Sequence, residues 1–78
     1  MKLVKYSRHA KRRMSERGVS EEDAALTIDG PELMEQSLKD RKNAYRYMGG
    51  RFLRVTFKEN DDHILVITVT IRKTPFKE

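Results

Sequence analysis

Ser7-Arg8-His9-Ala10-Lys11-Arg12-Arg13-Met14-Ser15-Glu16-Arg17-Gly18 reads as one short helix with both of its ends specified. Serine caps helix N-termini, glycine closes C-termini in a left-handed conformation, and no residue between Ser7 and Gly18 breaks a helix. At about 100° per residue, His9, Arg13 and Arg17 fall along one stripe, with Ala10 and Met14 on the apolar stripe beside it. One flank of the helix therefore suits a core. The other sets a titratable imidazole beside two guanidiniums, groups matched to phosphate.

Outward from Gly18, the run Val19-Ser20-Glu21-Glu22-Asp23 starts a second helix. Ser20 is the cap, Asp23 reaches back to it as a capping box, and Val19 staples onto Ala24. This helix is expected to end near Ile28 or Asp29, ahead of Gly30-Pro31. Its three leading acids favour the positive end of the helix dipole, which accounts for them structurally. On the N-terminal side, the stretch from Lys2 to Tyr6 is either a weak strand or an extended lead into the first helix.

Past Pro31 the apolar pattern turns from helical to alternating. Residues 32–38 make a poor strand, whereas 43–48, 51–58 and 63–72 are rich in Tyr, Phe, Val, Ile and Thr and make good ones. Gly49-Gly50 suits a tight hairpin that needs positive φ at both central residues, and Asn60-Asp61-Asp62 marks the next turn. The expected fold is α+β: one domain over residues 1–78, with two N-terminal helices on one face of a three- to four-stranded antiparallel sheet. A domain this small is marginal alone, so a homodimer or a stable partner is expected.

Register assigns the faces. A hairpin at Gly49-Gly50 sets Tyr47 opposite Phe52 and Tyr45 opposite Arg54, and leaves Leu53, Val55 and Phe57 on the other face. Burying that second face against Leu65, Ile67, Val69 and Ile71 requires Phe57 to pair with Leu65 through a three-residue turn. Tyr45, Tyr47, Phe52, Arg54, Thr56, Val66, Thr68, Thr70 and Arg72 then share an open face, with Thr68 opposite Arg54. Rings interleaved with Arg are what unstacked RNA bases and phosphates use, and they equally serve as cross-strand pairs that stabilise a small sheet.

The net charge of +5 is unevenly spread. Residues 1–17 carry seven Lys/Arg against Glu16, residues 18–36 carry six acids and no Lys or Arg, and residues 37–58 carry seven Lys/Arg against Asp40. Two basic blocks around an acidic one suit a phosphate-rich partner. Cysteine is absent, which removes disulfides, thiolate catalysis and Cys-based zinc sites. Neither a signal peptide nor an apolar run of spanning length is evident, so a cytoplasmic protein without membrane contact is expected.

His9 and His63 fall on separate elements without ligand spacing, so no metal and no cofactor is expected. No Ser sits on a nucleophile elbow. Metal-free phosphodiester chemistry fits what is left, because RNA carries its own nucleophile, the 2′-hydroxyl. His9 is the candidate proton carrier, Arg13, Arg17 and Arg54 the candidate phosphate holders, and Tyr45, Tyr47, Phe52 and Arg72 the candidate RNA-binding residues. A helix-turn-helix around Gly18-Val19-Ser20 is disfavoured, since its recognition helix would carry Glu21, Glu22, Asp23 and Asp29 and no cation. A non-catalytic RNA-binding or protein-interaction module is the alternative, as Tyr and Arg also anchor protein interfaces.

Ser7-Arg8-His9-Ala10, Arg13-Met14 and Glu16-Arg17-Gly18-Val19-Ser20, with Val66-Ile67-Thr68-Val69 toward the end, resemble a family of short prokaryotic proteins with a domain of unknown function. Its members open with a His-Ala-x-x-x-Met-x-x-Arg-Gly helix, and the fold expected for them is similar to BrnT and RelE toxins. That resemblance implies a type II toxin: metal-independent cleavage of mRNA to a cyclic phosphate, on the ribosome, with an antitoxin protein as partner. It also implies sheet residues as the site, for which Tyr45, Arg54 and Arg72 are suitably placed.

Overall fold

Both helix caps form as the residues dictate. The structure, a computed structural model, describes residues 3–72, in the order β1 (Leu3–Tyr6), α1 (Arg8–Arg17), α2 (Glu21–Asp29), β2 (Leu33–Gln36), β3 (Arg41–Met48), β4 (Arg51–Glu59) and β5 (His63–Arg72). Ser7 accepts the Ala10 N–H at 3.0 Å to start α1, and Gly18, at φ 66°, ends it. The Ser20 and Asp23 side chains each accept the other residue's backbone N–H, which completes the capping box of α2. Lys2, the first residue of the leading stretch, lies outside the described residues.

The strands form one sheet in the order β1-β5-β4-β3-β2. It has five strands and is mixed, which corrects the expectation of three or four antiparallel ones: β1 adds to β5 in parallel, Leu3 beside His63 through Tyr6 beside Val66. Alternation explains why the leading stretch takes this place, since Val4 and Tyr6 pack on the core while Leu3 and Lys5 do not. The Tyr6 hydroxyl then donates to the Glu21 carbonyl at 3.0 Å, tying β1 to the start of α2. The poor strand at 33–36 pairs antiparallel with β3, Leu33 beside Tyr45 and Glu35 beside Asn43.

The β3–β4 register is the expected one, with Tyr47 opposite Phe52 and Tyr45 opposite Arg54. Gly49 and Gly50 form a two-residue loop between Met48 and Arg51, at φ 64° and 82°, where any other residue would be strained. The β4–β5 register differs from expectation. Phe57 pairs with Val66 rather than Leu65, and Arg54 with Thr70 rather than Thr68, because the pairing shifts by one residue at Thr56/Phe57. Ile67 is the unmatched residue on β5, and the bulge there reverses which side chains point inward. Ile64 and Val66 are therefore buried before it, and Val69 after it. The inward assignment of Leu65 and Ile67 and the outward one of Val66 are corrected accordingly.

Among the described residues, the main apolar cluster lies on the helix side of the sheet. Ala10, Met14, Val19, Ala24 and Ile28 of the helical segment close on Ala44, Leu53, Val55, Phe57, Ile64, Val66 and Val69 of the sheet. Two arginines hold the helix C-termini from the strands: Arg51 donates to the Arg17 and Gly18 carbonyls at 2.8 and 3.0 Å, and Arg46 to the Gly30 carbonyl at 2.9 Å. A guanidinium at the negative end of a helix satisfies its last carbonyls and opposes its dipole. These two cations are thus occupied within the fold.

Candidate nucleic-acid interface

Strand alternation builds a polar surface on the side of the sheet away from the helices. Leu53 and Val55 point into the core, so Phe52, Arg54 and Thr56 point out, together with Asn43, Tyr45 and Tyr47 of β3 and Glu35 of β2. Three rows run across the strands: Glu35-Asn43-Thr56-Thr68, then Leu33-Tyr45-Arg54-Thr70, then Tyr47-Phe52-Arg72. Among the described residues, no helix covers these rows.

The first two rows are joined by hydrogen bonds. The Tyr45 hydroxyl donates to Glu35 Oε1 at 2.5 Å, and the Asn43 amide donates to the same oxygen at 3.1 Å. Thr56 donates to Asn43 Oδ1 at 2.6 Å, and Arg54 Nε donates to Thr70 Oγ1 at 3.2 Å. Both donors to Glu35 fall on Oε1, which leaves Oε2 outside these bonds. The Tyr45 and Asn43 hydrogen bonds hold the Glu35 carboxyl below its ordinary range, and the guanidiniums of Arg54 and Arg72 add to the effect. Burial and the bond to Glu35 push the Tyr45 phenol up. Across neutral pH the cluster is therefore an anion, a neutral phenol and guanidiniums.

Tyr45 is 2% exposed, so its ring offers no stacking surface and its hydroxyl is what matters. Tyr47 is 52% exposed and meets Phe52 edge to face, with ring centroids 5.1 Å apart and planes at 72°. That pair forms an open aromatic rim beside Arg54 and Arg72. Glu35 escaped the sequence reading because residues 32–38 made a poor strand. Once β2 is paired with β3, alternation alone puts Glu35 on the Tyr45 face.

The helix residues singled out by sequence lie elsewhere. Arg13 is half-buried and pairs with Glu16 at 3.3 Å; Arg17 is exposed at the end of α1; His9 is exposed and borders a hollow with Arg8 and Arg12. All three sit on the helical layer, whereas Arg54 sits on the far face of the sheet. His9, Arg13 and Arg17 are not brought together with Tyr45, Arg54 and Arg72. His63 bonds Asp62 at 2.8 Å and Asn60 at 3.0 Å in the β4–β5 turn. Among the described residues, no three His, Asp or Glu side chains are placed to share a metal ion, and no helix is long and apolar enough to cross a membrane.

A capped helix pair on a mixed five-stranded sheet, with a hydrogen-bonded polar surface on the uncovered side, defines a small α+β domain. The chain belongs to the family described as domain of unknown function DUF4258, whose pattern it matches over residues 6–71. That span includes both helices and the Glu35-Tyr45-Arg54 cluster. Comparison with curated proteins and with solved structures gives no match.

Proposed function

We propose that the protein is a toxin-like, metal-independent endoribonuclease that acts on mRNA at the open sheet face. The observation that carries this reading is the Glu35-Tyr45-Arg54 cluster: a fixed carboxylate beside guanidiniums on a surface rimmed by an exposed ring pair. Arg54 and Arg72 hold the scissile phosphate, and Tyr47 with Phe52 supports an unpaired base. A bound phosphate offsets the pull of both arginines on Glu35, the smaller part of what lowers its carboxyl, and so raises its proton affinity. Glu35 Oε2 then takes the 2′-hydroxyl proton, the 2′-oxygen attacks phosphorus, and the 5′-oxygen departs with a proton from water. The product is a cyclic phosphate. The resemblance of the sequence to RelE and BrnT toxins, drawn from element order and basic character, supports this reading by analogy, and with it an acidic antitoxin as partner.

The second reading is a non-catalytic RNA-binding face. One observation favours it: among the described residues of this face, no side chain donates protons readily near neutral pH, since Tyr45 is pushed up and His9 lies on the helical layer. The experiment that separates the two is incubation of the purified chain with RNA in excess chelator, beside Glu35→Gln, Arg54→Ala and His9→Ala. Cleavage lost in the first two variants and kept in the third supports the nuclease. RNA retention without cleavage supports the binding face.

A further inference from the structure

The first turns of α1 carry the wrong charges for stability. A helix N-terminus has a positive partial charge, which acidic side chains relieve and cations aggravate. The fold follows this rule in α2, with Glu21, Glu22 and Asp23 in its first turn. It breaks the rule in α1, whose first turn has no acid and which begins Arg8-His9-Ala10-Lys11-Arg12. Arg8, Lys11 and Arg12 are exposed, and among the described residues no acid pairs with them. Glu16, the one acid of the helix, is taken by Arg13 at 3.3 Å.

Among the described residues, nothing draws on these charges. Ser7 supplies the cap, and Ala10 and Met14 supply the buried contacts. Arg8 and Arg12 stand one turn apart on the side of α1 away from Ala10 and Met14, and with His9 they border a hollow of about 500 Å³. Cations held at a cost to the helix, with no acidic partner among the described residues, are complementary to a polyanion. We propose that the exposed face of α1 is a second docking surface, for the paired ribose-phosphate backbone of RNA, across the sheet from the Tyr45-Arg54 row. Paired RNA fits better than an unpaired strand, because α1 has no aromatic residue on which bases could stack. The choice of RNA rests on the proposed function, while the polyanion contact rests on α1 alone. A structured RNA could then meet both sides of the molecule at once.

The test measures binding rather than cleavage: a fluorescently labelled RNA duplex is titrated with the full chain across a salt series, with folding followed by circular dichroism. Arg8→Gln with Arg12→Gln is expected to weaken binding roughly tenfold and to lower the salt slope by about two, while Lys11→Gln alone lowers it by about one. The melting temperature of the double variant should hold or rise, as charge repelled by the dipole has been removed. Arg41→Gln, which removes an exposed cation of β3 outside both surfaces, should leave duplex binding unchanged. An unchanged affinity and slope in the double variant would overturn the proposal. So would an equal loss in Arg41→Gln, or tighter binding of a DNA duplex of the same length. Absence of cleavage alongside the expected duplex result would sink the nuclease reading alone.

Discussion

The Tyr45 hydroxyl donates to the Glu35 carboxylate at 2.5 Å across the β2–β3 pair, so the shortest side-chain hydrogen bond of the open face links its base candidate to a buried ring. Tyr45→Phe removes the donor but keeps the ring, and it should leave the fold intact at a cost of about 1 kcal/mol. Single-turnover RNA cleavage should then fall about tenfold, because Glu35 loses its orientation. Glu35→Gln should cost on the order of 100-fold or more with RNA affinity retained. A Gln variant that cleaves at the unaltered rate would show that Glu35 takes no part in proton transfer.

The same pair gives stability a dependence on pH at both ends of the scale. Glu35 sits below its ordinary 4.5, so its contribution is full above that value and is lost as pH falls through the folded value. Tyr45 sits above its ordinary 10.0, so its contribution is full below that value and is lost as pH rises through the folded value. Urea denaturation over a pH series should show Glu35→Gln flattening the acid limb and Tyr45→Phe the alkaline limb. Parallel curves for wild type and both variants would contradict the assignment.

Ser7 acts twice. Its oxygen accepts the Ala10 N–H at 3.0 Å and donates to the Ile67 carbonyl at 2.9 Å, so one hydroxyl starts α1 and fastens it to the bulge of β5. Ser7→Ala should lower stability by about 1–2 kcal/mol, and Ser7→Thr should restore most of that. Thermal melting of the two variants decides the point, with equal midpoints counting against the double role.

Neighbouring residues at the bulge should respond to different degrees to one substitution. Val66 is fully buried and Ile67 only partly so. Val66→Thr places a hydroxyl in an apolar core and should cost about 1–3 kcal/mol, whereas Ile67→Thr should cost less than about 1 kcal/mol. A larger loss at Ile67 would restore the unbulged register.

Local chemistry in this chain was readable because it acts over a few residues. Ser7, Gly18, Ser20 and Gly49-Gly50 each specify a cap or a turn, and each does so in the structure. Tyr45 opposite Arg54 followed from the turn. The features that escaped depend on distant partners. Residues 3–6 become a strand only because β5 presents an edge to them, and Ile67 bulges where Thr56 and Phe57 change their pairing. Glu35 gained meaning only once β2 had a neighbour. His9, Arg13 and Arg17 share a stripe, but a stripe does not reveal which layer it belongs to.

The parallel pairing of β1 with β5 joins the two ends of the described chain, Leu3 beside His63 and Tyr6 beside Val66. Synthesis runs from the N-terminus, so β1 and α1 are made well before β5, the strand on which both dock. Until β5 emerges the arginine-rich helix lacks that berth, and the arrival of β5 is what seats the first strand and helix together.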